Sequence, residues 1–349
     1  MMSSPLTLAL ALALAATLTT SPASPLAAGE APGDPSLTKL GAEVDRISRK
    51  AHGVVGVRAV HLESGRAFSR NATVRFPMQS TFKEAVAITV LQQVEDGKLK
   101  LDQPVSVTEN DLRPGLGSET LTKCWKPGAT FTVNELTDFM ITESDNTATD
   151  LLMRMLGGPS AVQAQLTKLG LAGIDVSRTE QRMNLDYHGV KELPAEGACS
   201  IACMKRLTAA VPRAEQDRAR LAYESDPRDT ATPEAMATLN ARLMKGELLS
   251  KGSTERLLDL LRRCKTGKNR IRALLPSGTE VFNKTGTGGR STNDVGIVTL
   301  PGGSHVALSV YVKASTQEGK QRERVIAEIA RAVYQTFSAA PTAAAAGRS

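Results

Sequence analysis

Ser80 and Lys83 stand three residues apart in the run Ser80-Thr81-Phe82-Lys83, at the front of a strongly apolar stretch. On a helix this spacing puts a hydroxyl and an amine on one face, a turn apart. A free serine hydroxyl is a weak nucleophile, and a lysine partly withdrawn from water can serve as its base. A helix N-terminus also favours negative charge developing at that serine. Two more polar runs follow, Ser144-Asp145-Asn146 and Lys284-Thr285-Gly286. Acyl transfer from an amide needs a nucleophile, a base, a proton donor for the leaving nitrogen and fixed donors for the developing oxyanion, and these residue types can supply them. Taken singly, each run has a plainer reading. Ser80 could be a helix cap, Ser-Asp-Asn a turn between helices, and Lys-Thr-Gly part of a strand or turn. Their occurrence together, in this order, carries the chemical reading.

The elements that must position these residues follow from periodicity and punctuation. Leu37 to Lys50 has helical spacing. Val54 to Leu62 is β-branched and reads as a strand, with Glu63 to Arg66 turning into a second one. Ser80 to Val94 is apolar nearly all round, as expected of a central buried helix that Asp96-Gly97 ends. Thr132 to Thr142 reads as a helix opened by a Thr132–Glu135 capping box. Thr147 to Leu156 follows, stopped by Gly157-Gly158, and Pro159 opens another helix that ends at Gly170. Pro233 to Met244 and Ser253 to Cys264 are two more. Val281 to Thr285, Asp294 to Leu300 and His305 to Lys313 read as strands, and Gly319 to Phe337 as a closing helix. The fold class is therefore α/β of the α+β type. One antiparallel five-stranded sheet, made from both chain ends and flanked by helices, is expected to pack against an all-α domain. The α/β part takes residues 36–75 and 264–338, and the helical part residues 76–263.

At 349 residues and 41% apolar content the chain can bury one large core or two smaller ones. Leu6 to Leu18 has the length of a signal h-region, and small residues lead to Ala28 as a cleavage point, giving a signal peptide over residues 1–28. Met1 to Pro5 lacks the usual lysine or arginine. Residues 29–35 read as a linker and 339–349 as a disordered alanine-rich tail. The expected location is periplasmic or secreted, with no membrane anchor once the signal is removed. Cys124, Cys199, Cys203 and Cys264 would then meet oxidising conditions, and one or two disulfides are expected with their pairing open. The four histidines are scattered, without a ligand spacing, so neither metal nor other cofactor is expected. The net charge of +7 comes with only 3% aromatics and dispersed basic residues, which excludes a nucleic-acid surface. The charge serves solubility or mild steering of an anionic substrate. Nothing in the pattern marks a partner surface, so the chain reads as a monomer.

Phe76 to Lys83, Ser144 to Ala148 and Lys284 to Gly288 resemble, in order and spacing, the three signature motifs of class A serine β-lactamases. The resemblance runs from about Leu37 to Phe337. It implies the β-lactamase/transpeptidase-like fold and a β-lactam as small-molecule substrate. Ser80 would be the nucleophile, Lys83 its base and Ser144 the proton relay to the departing nitrogen. Asn146 would bind the substrate's side-chain amide. Lys284 and Thr285, on an edge strand, would take the carboxylate, and the N–H groups of Ser80 and Thr287 would form the oxyanion hole. Arg178 to Asn184 resembles the family's Ω-loop, with Glu180 as the base that activates the deacylating water and Asn184 as a residue that holds it. Arg178 and Asp229 match the ends of its closing ion pair.

Cell-wall D-Ala-D-Ala carboxypeptidases and penicillin-sensing domains share the three motifs but not the Glu180–Asn184 pattern. The sequence also departs from the family. The stretch between Asn184 and Asp229 is far longer than usual and carries Cys199 and Cys203, with Ala198 to Ala210 as a possible short helix. It reads either as a solvated excursion or as a substrate-shaping flap. Gln79 and Gly288 stand where some carbapenem-hydrolysing members have a cysteine pair. Leu112 to Ser118 lacks the aromatic that often lines the pocket mouth, a place Trp125 could take if it does not simply pack. Thr287 hints at cephalosporin use.

Overall fold

The computed structural model describes residues 34–113, 119–192, 194 and 199–339. The signal peptide, its cleavage point, residues 29–33 of the linker, most of the tail and the segment 114–118 lie outside the described residues. Five strands form the main sheet: β1 (Val54–His61), β2 (Ala67–Arg70), β7 (Val281–Gly288), β8 (Ser291–Thr299) and β9 (His305–Lys313). Their order is β2-β1-β9-β8-β7. Every neighbouring pair is antiparallel, with Val57 opposite Val310 and Lys284 opposite Val295. Strands from the two chain ends thus meet at the centre, and β7 forms an edge. The short pairs β3 (Phe76–Pro77) with β6 (Thr230–Ala231), and β4 (Pro104–Ser106) with β5 (Thr130–Thr132), lie elsewhere.

The central strands are covered on both faces, which is why they read as continuous apolar runs rather than alternating ones. On one face lie α1 (Pro35–Ser48) and α12 (Gly319–Ser338), whose Val44, Ile47, Val325 and Ile329 pack with Val57, Leu308 and Val310. Asp34 caps α1, so the helix opens at Pro35, inside the expected linker. The other face receives α10 (Pro233–Met244), which contacts β9, β1 and β8. Gly56 on β1 permits this approach, because a Cβ there would run into the Phe76 ring and Pro233.

A second core gathers around α2 (Lys83–Glu95), whose residues from Lys83 to Leu91 are all buried. The expected helix start at Ser80 is corrected. Gln79 to Phe82 form a 3₁₀ turn, and the α-helix begins at Lys83. Around α2 stand α3 (Thr120–Cys124), α4 (Val133–Asp138), α5 (Asn146–Leu156), α6 (Pro159–Lys168) and α11 (Lys251–Arg262). The Thr132–Glu135 capping box forms as expected, but the helix it opens gives way to a π turn over Phe139–Glu143. Trp125 packs against this core and donates its indole N–H to Val107 O at 2.8 Å, which is the packing role rather than the pocket-mouth role. The long stretch carries α7 (Glu180–Tyr187), α8 (Ile201–Ala210) and α9 (Arg213–Tyr223), with a Cys199–Cys203 disulfide at the start of α8. Cys124 and Cys264 are free.

Candidate active site

The turn that carries Ser80 is built by backbone strain. Gln79 has φ +50°, a left-handed conformation that is costly without glycine, and it swings Ser80 to the wall of a cavity of about 340 Å³. Lys83, a turn further on, is fully buried, so its ammonium needs partners on all sides. It donates to Ser144 O at 2.8 Å and Asn146 Oδ1 at 2.6 Å, and lies 3.1 Å from Glu180 Oε1. Ser144 follows the π turn with φ +61°, and Asp145 then caps α5 by accepting from Ala148 N–H. Turn and cap therefore do occur here, and they aim Ser144 and Asn146 into the site.

Lys284, fully buried on β7, donates to Ser144 Oγ at 2.9 Å, so both lysines bond to the same serine. Burial, with Lys83 adding to the effect, pulls the Lys284 pKa down to about 8. Gly286 lets β7 pass the turn that carries Ser80, because a Cβ there would collide with Met78 O. Thr285 Oγ1 is 2.6 Å from Thr266 Oγ1. Thr287 lines the same cavity as Ser80.

Glu180 is the first residue of α7, with Thr179 as N-cap. Burial pushes its pKa up, while the Lys83 ammonium pulls the other way. Asn184, one turn along α7, also lines the cavity. The expected Arg178–Asp229 bridge is present, with Nε 2.5 Å from Oδ2, both residues buried. Asp186 and Asp226 also lie within 3.1 Å of the same guanidinium.

Several supporting residues were not found by sequence reasoning. Asp150 accepts from Glu180 N–H at 2.7 Å and from Gln181 N–H at 3.0 Å, so it holds the N-terminus of α7. Arg113 closes on Asp150 at 2.8 Å. Arg270 donates to Thr287 Oγ1 at 2.6 Å and to the carbonyls of Gly286 and Asn293, bringing a third cation beneath β7. Spacing gave no sign of Arg113 or Arg270, and the only clue to Asp150 was its place one turn beyond Asn146. Among the described residues no group of His, Cys, Asp and Glu could hold a metal ion.

Residues 39–337 match the model of the β-lactamase enzyme family. A β-lactamase of Stenotrophomonas maltophilia is 34% identical over 87% of this chain and 88% of its own length. The VEB-1 β-lactamase of Pseudomonas aeruginosa is 27% identical over 84% of this chain and 89% of its own. Among solved structures, a β-lactamase from Chitinophaga pinensis superposes with a TM-score of 0.71 at 31% identity, covering 86% of this chain and 99% of that one. A reconstructed ancestral class A β-lactamase of Gram-negative bacteria gives 0.70 at 34% identity, over 85% and 100%. With the family model matched over nearly the whole described chain and a relative 34% identical over most of both lengths, the chain belongs to the β-lactamase enzyme family, as a class A serine enzyme.

Proposed function

We propose that this enzyme opens the ring of penicillins and cephalosporins by acylation of Ser80 and hydrolysis of the resulting ester. Lys284 and Thr285, with Arg270 behind them, draw in the substrate carboxylate. Ser80 attacks the ring carbonyl while Lys83 takes its proton, and the oxyanion forms between the N–H groups of Ser80 and Thr287. Ser144, held between both lysines, passes a proton to the departing nitrogen. Asn146 holds the side-chain amide. Glu180 then takes a proton from a water that attacks the ester, with Asn184 beside that water. No cofactor takes part.

The observation that carries the hydrolytic reading is the glutamate. Glu180 sits 3.1 Å from the Lys83 ammonium and shares a cavity with Ser80, at the N-terminus of a helix pinned by Asp150. A peptidase or penicillin sensor that stays acylated has no use for such a base. We read the enzyme as a periplasmic or secreted monomer that confers β-lactam resistance. No helix of the described residues is long and apolar enough to cross a membrane.

The test is turnover of nitrocefin and benzylpenicillin by the purified mature chain and by Glu180→Ala, with mass spectrometry of both. The parent should turn over rapidly, while the variant accumulates an adduct on Ser80 and loses about 10²–10⁴-fold in kcat. Stable acylation of the parent itself would move the assignment to a peptidase or sensor.

A further inference from the structure

We propose that the Cys199–Cys203 disulfide is a positioning device for Glu180, so that hydrolysis of the acyl-enzyme depends on this bond while formation of the acyl-enzyme does not. The proposal rests on the β-lactamase reading above and adds a covalent control of its second step.

The first observation is how α7 is held. Glu180 opens this eight-residue helix and Asn184 lies one turn along, so its cavity-facing side carries the base. Aiming that side depends on what grips the rest of the helix. Asp150 fixes the first N–H groups, and Met183 enters the large helical core. The other buried residues of α7, Gln181 and Leu185, share a face about 100° round the axis from Glu180. Both end on the same residue. Gln181 Nε2 donates to Cys199 O at 3.3 Å, and Leu185 packs with Val190, Cys199 and Met204. Cys199 is therefore the stop against which α7 is turned.

The second observation is that this stop has little else to hold it. The small core around Cys199 contains four buried side chains, with Cys203, Leu207 and Val211 only partly covered. The next helix along the chain, α9, buries none of its residues fully. A core of that size does not offset the entropy of ordering the chain that forms it, and such cores are usually stapled. The disulfide joins Cys199, just before the N-cap Ser200, to Cys203 in the first turn of α8. Ser200 Oγ accepts from Cys203 N–H at 3.3 Å, so bond and cap together fix the carbonyl that Gln181 meets. Ser80, Lys83, Ser144 and Lys284, which form the acyl-enzyme, belong to other elements, and none of them joins this small core. The staple thus bears on Glu180 and not on the acylating groups.

The experiment measures single-turnover acylation and deacylation with benzylpenicillin, by quenched-flow mass spectrometry of the Ser80 adduct, in the parent, in Cys199→Ala/Cys203→Ala and in Gln181→Leu. In the double variant acylation should keep the parent's rate. Deacylation should fall at least about tenfold, because misplacing a reacting group by about 1 Å can cost about 10²-fold. Gln181→Leu keeps the disulfide and cuts its hydrogen bond to α7. Deacylation there should fall at least about threefold, as for one neutral hydrogen bond, again with acylation unchanged. Equal slowing of the two steps, or a double variant unable to acylate, would make the disulfide a general staple of the fold and overturn the proposal. So would unchanged deacylation in either variant. A parent that forms no adduct and turns over nothing would instead bring down the β-lactamase reading.

Discussion

At the scale of the residue, the site is a problem of crowded charge. Lys83 and Lys284 are both buried against Ser144, and Glu180 is the carboxylate within reach of Lys83. Two titrations follow. The Lys284 pKa is lowered to about 8, so its cation disappears as pH rises through that value, and the substrate carboxylate loses a partner. We expect kcat/KM to fall above about pH 8, and the fall to move to higher pH in Lys284→Arg, whose guanidinium stays charged. The Glu180 pKa is raised by burial, and the base must be ionised to work. Deacylation should therefore fade on acidification before an ordinary glutamate would protonate. Stopped-flow profiles of acylation and deacylation across pH 4–10 would separate the two limbs. An alkaline limb left unmoved by Lys284→Arg would remove that lysine from carboxylate binding.

At the scale of the element, Arg178 and Asp229 set the base of α7. Ser177 N–H and Arg178 N–H both donate to Asp229 Oδ1, so one carboxylate holds backbone and side chain together. Asp229 itself has φ +52°, and its own N–H donates to Asp175. Removing one partner of a buried ion pair typically costs about 3–5 kcal/mol, though here Asp186 and Asp226 still neutralise Arg178. Asp229→Ala should therefore destabilise by less than that range, and slow deacylation more than acylation because Glu180 stands two residues from Arg178. Equal slowing of both steps in single-turnover kinetics would count against this.

This is also the scale at which the sequence was most and least legible. The observed bounds of α10 and β9 match the periodicity, because caps, turn residues and an apolar pattern all agree there. The motif residues Ser80, Lys83, Ser144, Glu180 and Lys284 could be named because each sits in a short run of distinctive types. Arg113, Arg270 and Asp150 act through contacts between distant segments, and no local pattern announces a partner that far away. The helix α9 was missed for a related reason: with no residue fully buried, it lacks the apolar stripe that reveals a helix. The 3₁₀ turn around Ser80 was read as α-helix because apolar periodicity cannot register the positive φ of Gln79.

At the scale of the whole molecule, two acids are buried where the helical core meets the sheet. Glu84 on α2 is held near a pKa of about 8 and Asp294 on β8 near 6, in both cases chiefly by burial. Asn240 Nδ2 donates to Glu84 Oε2 at 3.0 Å, while Glu84 Oε1 and Asn240 Oδ1 have no partner. A protonated Glu84 has a donor to offer such acceptors, and an ionised one has none. The folded state thus binds more protons than the unfolded chain, so this contribution to stability is present below about pH 4.5 and is lost as pH rises towards 8. Glu84→Gln should then cost little at pH 5 and gain on the parent as pH rises to 8, by at least about 1 kcal/mol or roughly 2 °C in Tm. Thermal melts at both pH values would show it, and a constant difference would mean that Glu84 is ionised throughout.

The sheet has a further consequence, for synthesis. Val57 and its neighbours on β1 must wait for β9, the last of the described strands, before their inner edge is paired. Until then the first hydrophobic strand has only the short β2 beside it, and neither α12 nor the second half of its core exists. A nascent chain of this topology cannot close its central layer while it is being made, so it stays open for as long as a translocation channel would require. For the same reason a premature stop before Lys313 should leave no partly active enzyme.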